Sequence, residues 1–239
     1  MDIIAVVSGA STGIGRQVAI MLSRKGYLLV LVARRKDKLE ETKKLLGPTG
    51  KAEVFPANLA DLEAIKTLTY HLKNKYKHID VIANIAGIWH DEHEAFASKP
   101  YDTITSKMII DTVTVGTLAP MLLIHELIPA MTQGGCIINL SGTFESDAKG
   151  WVPYYVSKRA IEDLTVALAQ DLHDKGIRVI CISPSDTATE EYKKFFPEDA
   201  ATAQSPQEVA HVLVNMIEKG KSGTIYVLKK GKVRKAFHT

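Results

Sequence analysis

Short, continuously apolar runs alternate along this chain with longer stretches in which apolar residues recur every three or four positions. The run over 3–8 enters Gly9-Ala10-Ser11-Thr12-Gly13-Ile14-Gly15, after which Val18, Ala19 and Leu22 share one helical face as far as Arg24. Gly26 ends that helix, and 27–33 is again apolar throughout, as expected of a strand covered on both faces. The alternation continues with a charged helix over 36–46, a turn at Gly47-Pro48, a strand over 52–55, a helix over 61–76 and a strand over 80–84. Further on, the spacing predicts a long helix over 107–131, a strand over 136–141, a helix over 151–175 and a strand over 177–182. Weaker helix and strand signals follow over 206–219 and 224–228. Strands and helices in strict alternation predict an α/β fold with a parallel, doubly wound sheet.

Composition adds little to that picture and removes several alternatives. With 46% apolar and 24% charged residues, the 239-residue chain has the makings of one globular domain over 1–239, and no linker divides it. The net charge is +3, and Lys229, Lys230, Lys232, Arg234 and Lys235 crowd into a basic C-terminal tail over 229–239. Without interleaved aromatics this tail reads as solvated surface, so no nucleic-acid partner is expected. Cys136 and Cys181 sit in apolar runs with no metal-binding spacing, which suits a reducing, cytoplasmic setting. The chain opens directly on a strand-like run, and no apolar stretch is read as reaching about 18 residues, so no export signal and no membrane span are expected.

The first chemical signal is the glycine-rich turn between a buried strand and a helix. Gly9, Gly13 and Gly15 let the backbone turn tightly and approach a pyrophosphate held by the helix N-terminal amides, the arrangement of a Rossmann-type dinucleotide site. Thr12, Ile14 and Arg16 belong to the same turn. At the end of the second strand, where an acidic residue would favour NAD(H), stands Ala33-Arg34-Arg35. Arginine presents a fork of donors to a phosphate, so Arg34, helped by Arg16, Arg35 and the Ser11 hydroxyl, predicts NADP(H) over NAD(H). The alternative is that both arginines are merely solvated.

The second signal is Tyr154 with Lys158, four apart near the start of a predicted helix and so on one face of it. A phenol titrates near ~10 in isolation, and a neighbouring ammonium is expected to draw that value down. Ser141, at the end of the preceding strand, is the candidate for holding a carbonyl oxygen near the phenol, with Thr143 next.

In combination these motifs resemble the short-chain dehydrogenase/reductase family over nearly the whole chain. Gly9 to Gly15 resembles its cofactor loop, Asn84-Ile85-Ala86-Gly87 its segment after the fourth strand, Tyr154-Tyr155-Val156-Ser157-Lys158 its catalytic signature, and Pro184-Ser185-Asp186-Thr187-Ala188-Thr189 its second cofactor segment. The resemblance implies hydride exchange between a nicotinamide and a carbon bearing a carbonyl or hydroxyl, with Tyr154 moving the proton and Lys158 also holding ribose hydroxyls. It further implies that Asn58, Leu59, Asn84, Ala86, Gly87, Pro184, Thr187 and Thr189 line the dinucleotide.

Departures from the family pattern bear on the proton path. Val113 stands where members usually carry an asparagine that retains a water, with Thr112 and Thr114 as partial substitutes. Matching from the strand would set the family serine on Gly142, whereas counting back from Tyr154 gives Ser141. These departures motivate a second reading, a catalytically weak or inactive NADP(H)-binding sensor or scaffold. Trp89, Phe144, Trp151, Phe195 and Phe196 suggest a small apolar carbonyl or alcohol substrate. His90 and His93 among acidic neighbours read as a solvated loop, with no metal expected. By the same resemblance the helices after the fourth and fifth strands carry surplus apolar residues (Leu118, Met121, Leu122, Ile124, Leu164, Leu168), which predicts a homodimer or homotetramer.

Overall fold

In a computed structural model, described over residues 2–144 and 148–236, eight strands form one sheet in the order β3-β2-β1-β4-β5-β6-β7-β8. The strands are β1 Ile4–Ser8, β2 Leu28–Ala33, β3 Lys51–Pro56, β4 Ile79–Asn84, β5 Met131–Leu140, β6 Arg178–Pro184, β7 Thr224–Lys229 and β8 Lys232–Ala236. The first seven run parallel, and only β8 is antiparallel. Strand order reverses between β1 and β4, so the carboxyl ends of these two strands flank the crevice where such sheets bind ligands.

The apolar runs form strands because both faces of the sheet are covered. On one face α1 Gly13–Arg24 and α9 Pro206–Lys219 pack Val18, Leu22, Leu213 and Ile217 over Val7, Leu31, Ile138 and Ile180. On the other face, α3 Leu62–Lys75 and α5 Ala119–Leu127 pack Leu68, Leu72, Leu123 and Leu127 over Val6, Val30, Ile82 and Ile137. Alternate residues of each strand serve the two layers, the period-two signature of a doubly covered sheet. Elsewhere, α2 Lys36–Lys44 follows β2 and α6 Val152–Asp171 follows β5.

The long helix predicted over 107–131 is divided. It runs as α4 Ser106–Val113, a π-helical turn Thr114–Leu118, then α5 and a 3₁₀ turn Ile128–Ala130. Pro120 has no N–H to return to the preceding turn, which favours a widened turn there. In that turn Gly116 lies against α6 so closely that a Cβ would stand 2.0 Å from Ser157 Oγ. The whole run Ser106–Ala130 is long and apolar enough to cross a membrane, against the expectation from sequence. Its apolarity has a use inside the fold, because Ala119, Leu123, Ile124 and Leu127 are buried against the sheet. Of the surplus apolar residues, Leu118 and Met121 face outward, Ile124 is buried, and Leu122, Leu164 and Leu168 pack on the second core layer.

Two further differences concern the C-terminal third. The irregular segment after β6 contains two short helices, α7 Glu190–Phe195 and α8 Pro197–Ala200. The basic tail is no loose tail: Lys232–Ala236 pairs with β7, Val227 opposite Arg234, while residues 237–239 lie outside the described residues. Lys230 and Gly231 make the turn, with φ of 44° and 74°. Both values are positive, as in the two-residue turn whose twist suits a hairpin. Lysine is strained in that region, so Lys230→Gly is expected to raise stability by about 1 kcal/mol, read as a higher midpoint of urea unfolding with an unchanged slope.

Candidate active site

The glycine turn connects β1 to α1 at the crevice. Gly9 has φ +71°, and a Cβ there would stand 2.9 Å from the Ala86 backbone, so the loop rests directly on the segment after β4. A Cβ at Gly15 would stand 2.2 Å from the Gly9 carbonyl oxygen, and Gly13 has φ +53°. No side chain caps the N-terminus of α1 at Thr12, which leaves first-turn amides to meet the oxygens of a ligand. Ile14 anchors the turn from below by packing on the first core layer. A cradle that side chains would fill, with free amides at its rim, fits a dinucleotide pyrophosphate.

The basic residues around the cradle divide in two. Arg16, expected beside a phosphate, is folded back: its Nη2 donates to the Ser11 carbonyl at 2.5 Å and its Nε to Thr42 Oγ1 at 3.0 Å, and Glu41 pairs with it at 3.2 Å. It braces the loop. Arg34 is exposed at the end of β2, and Arg35 lies 4.0 Å from Glu191 on α7. Asn58 is exposed just beyond β3, where its side chain accepts from the Ala60 amide, and Leu59 is buried beside it. Asn84 is buried, its amide nitrogen donating to Asn139 Oδ1 at 2.9 Å and tying β4 to β5, while its own Oδ1 has no hydrogen-bond partner among the described residues. Ala86 and Gly87 continue from it along the crevice. Across the crevice Pro184 and Thr187 are buried, and Thr189 accepts from the Tyr192 amide to start α7.

Tyr154 and Lys158 lie on the first turns of α6 where it faces the crevice. Lys158 is 2% exposed, its Nζ donates to the Leu140 carbonyl at 2.7 Å, and it stands 5.2 Å from the centre of the Tyr154 ring. A Cβ at Gly87 would lie 3.5 Å from Nζ and 3.8 Å from Tyr154 Cε2, so glycine there keeps the pair open toward the cofactor crevice. Burial pushes Lys158 down to about 8, against the upward pull of Cys181 and Glu162. The phenol moves the other way from expectation, pushed up by burial. The ammonium donates to Leu140 and sits over the ring face, so in this arrangement it does not offset the desolvation of the phenol.

The serine expected at the substrate oxygen faces elsewhere. Ser141 is buried, with its Oγ 2.7 Å from Glu162 Oε1 and 2.9 Å from the Lys158 carbonyl. Thr143 Oγ1 likewise donates to the Ser183 carbonyl at 2.8 Å. The position that does face the phenol is Gly142, whose Cβ would lie 4.0 Å from Tyr154 Cε1. Period-two alternation at the end of β5 explains the reversal: Ser141 faces one side of the strand end, and the next residue faces the other. Glu162 escaped the sequence reading, yet its carboxylate is buried, holds Ser141 and pairs with Arg159 at 2.5 Å. Its position one helical turn after Lys158 was the available signal.

Above the phenol, Trp89, Phe96, Ala97, Met108, Thr112, Trp151 and Pro153 enclose about 10 Å³ of free space. Trp89 is the hub of an aromatic roof, with ring centres 6.1 Å from Trp151, 5.9 Å from both Phe195 and Phe196, and 6.1 Å from Tyr192. Phe144 closes the side, 6.2 Å from Tyr154. Thr112 lines this cavity, while Val113 beside it is only partly buried. The loop with His90 and His93 folds on Asp91, whose carboxylate accepts from the His93 and Glu94 amides. Among the described residues no group of three or more metal-binding side chains gathers.

Comparison with known proteins finds relatives along most of the chain. An uncharacterized oxidoreductase of Staphylococcus saprophyticus is 32% identical over 233 residues, covering 90% of this chain and 96% of that one. A 3beta-hydroxysteroid dehydrogenase of Mediterraneibacter gnavus is 29% identical, covering 93% of this chain and 81% of that one. In fold, the chain superposes on a short chain dehydrogenase from Burkholderia cenocepacia in complex with NADP, with a TM-score of 0.84, 22% identity and coverage of 94% and 95%. Residues 3–200 match the family described as short chain dehydrogenase. With that match spanning most of its length, the chain belongs to the short-chain dehydrogenase/reductase family of oxidoreductases.

Proposed function

We propose that this protein interconverts a carbonyl and an alcohol with NADP(H), using Tyr154 as the acid/base and Lys158 as its partner. The observation that carries the reading is the buried Lys158 ammonium under the Tyr154 ring, left open to the cofactor crevice by Gly87. The glycine turn, Ala86, Gly87 and the segment from Pro184 to Thr189 would hold the dinucleotide, with Asn58 and Leu59 near its adenine end. When bound, the cofactor supplies or accepts the hydride at the substrate carbon. Tyr154 gives a proton to the substrate oxygen in reduction and takes it in oxidation. Lys158 lends its charge to the phenolate so formed and holds ribose hydroxyls, oriented by its bond to Leu140. Ser141 and Glu162 act from behind, fixing the backbone of α6 at Lys158.

The preference for NADP(H) is supported by Arg34, an exposed guanidinium at the end of β2 where a carboxylate would otherwise select NAD(H). Replacing Arg34 with alanine is expected to weaken NADPH binding about ten- to a hundredfold, consistent with loss of a charge-assisted bond, and to leave NADH nearly unchanged. Fluorescence titration of both cofactors checks this, and equal losses for the two would overturn the preference. Thr112 and Tyr154 are the polar residues of a cavity otherwise lined by apolar groups, which supports a small, uncharged, apolar substrate. The Mediterraneibacter gnavus relative is named for a hydroxysteroid, which is likewise uncharged and largely apolar.

Gly142 favours one other reading, a dinucleotide-binding protein with little turnover, because no hydroxyl at that position supports the substrate oxygen. Tight NADPH binding without turnover on a broad panel of ketones and aldehydes would favour it. The outward residues Ile110, Leu118, Met121, Val152 and Val156, on α4, the π-helical turn, α5 and α6, support a homo-oligomer built on these elements. Two buried free thiols suit a reducing cytoplasm.

A further inference from the structure

We propose that Glu191 is an internal competitor for the phosphates of the cofactor, a carboxylate that rests on the glycine turn in the cofactor-free protein and leaves as the dinucleotide arrives. The inference rests on the NADP(H) reading for its ligand, though not for the contact itself. Glu191 Oε1 accepts from Thr12 Oγ1 at 3.3 Å, and the same oxygen lies 4.0 Å from Arg35 Nη2. A hydroxyl at the N-cap of α1 and a guanidinium beside it are donors that phosphate oxygens would use. A single carboxylate oxygen therefore stands where a more highly charged group would make the same bonds and more.

The segment that carries Glu191 is fastened on both sides of the crevice. Thr189 Oγ1 accepts from the Tyr192 amide and sets the start of α7, while Thr189 Cγ2 lies 3.0 Å from where a Cβ on Gly13 would be. On the far side, Lys194 Nζ donates to the Glu92 carbonyl at 2.7 Å, and Tyr192, Phe195 and Phe196 join the aromatic roof over Trp89. Moving Glu191 off the turn thus loosens the same short helix that joins the aromatic roof over Trp89. The ion pair is partly solvated, with Glu191 24% and Arg35 50% exposed, so it tunes affinity rather than blocking the site. Arg35, next to Arg34, is expected to help hold the extra phosphate of NADP(H), so its release favours that cofactor over NAD(H).

The test compares the wild-type protein with Glu191→Gln, Glu191→Ala and the neighbouring Glu190→Gln, a control with the same change of charge on an exposed residue. Fluorescence titration with NADPH and with NADH at low and high salt gives affinities, and hydrogen exchange on the cofactor-free proteins reports the contact directly. Both Glu191 variants should bind NADPH about three- to tenfold tighter, gain less with NADH, and lose most of the advantage at high salt. Glu190→Gln should match the wild type. Without cofactor, amides of α7 and of the first turn of α1 should exchange faster in the Glu191 variants. Unchanged or weaker NADPH binding by both Glu191 variants overturns the proposal, as does unchanged exchange or an equal gain from Glu190→Gln. A wild-type protein that fails to bind NADPH overturns the cofactor reading instead, and hydrogen exchange then decides the contact alone.

Discussion

Tyr154→Phe is expected to lower kcat for carbonyl reduction by roughly 10²- to 10⁴-fold, the usual worth of a positioned acid/base, while NADPH binds about as before. The substitution removes one oxygen from a ring held by Trp151 and Phe144, at 5.8 and 6.2 Å between centres, so the packing survives and the proton donor does not. Stopped-flow measurement with a saturating ketone separates the chemical step from cofactor binding. A variant that reduces the ketone at the wild-type rate would remove Tyr154 from the mechanism and return attention to the binding-only reading. The raised phenol makes the experiment sharper, because a neutral phenol at ordinary pH suits a donor in the direction of reduction.

Gly142→Ser is expected to raise kcat by about tenfold or more. Preorganised donors at a developing oxyanion are typically worth about 10²- to 10³-fold, and a hydroxyl newly installed in an existing backbone should recover part of that. The site has room: a Cβ on Gly142 meets Lys158 Cγ and Phe144 Cε2 at 3.8 Å and Tyr154 Cε1 at 4.0 Å, all ordinary contacts. Gly142 does not need the left-handed backbone that bars side chains elsewhere in this chain. Serine should therefore fold in place and set its oxygen beside the phenol. The companion substitution Ser141→Ala should not mimic the gain, because its hydroxyl serves Glu162. If Gly142→Ser folds normally and turns over no faster, the substrate oxygen sits away from this strand end.

The legible parts of the chain were those in which one local pattern had one structural use. Apolar runs became strands because helices cover both faces of the sheet, and the glycine turn formed where its three glycines are sterically required. Tyr154 and Lys158 met because four residues make about one turn of helix. The hidden parts were those that depend on which way a side chain points at the end of an element. Ser141 and Gly142 are neighbours in sequence, but the pleat sends them to opposite sides, and counting back from Tyr154 across an irregular loop cannot fix that parity. Arg16 follows the turn as a phosphate ligand would, whereas in the structure its guanidinium is held by the Ser11 carbonyl of the turn itself and by Thr42 and Glu41 from a helix some 25 residues away. Membership of β8 was hidden by its charge, although the Lys230-Gly231 pair after an apolar strand was a hairpin signal.

That last strand bears on how the protein behaves at high concentration. Among the described residues the sheet ends at β8, whose Lys232, Arg234 and Lys235 are exposed and carry the same sign. Two copies approaching edge to edge would bring these charges together before any backbone bond could form, whereas β7 alone would present Ile225, Tyr226, Val227 and Leu228 at the rim. The basic hairpin thus acts as a gatekeeper against sheet-to-sheet polymerisation, a matter of solubility rather than catalysis.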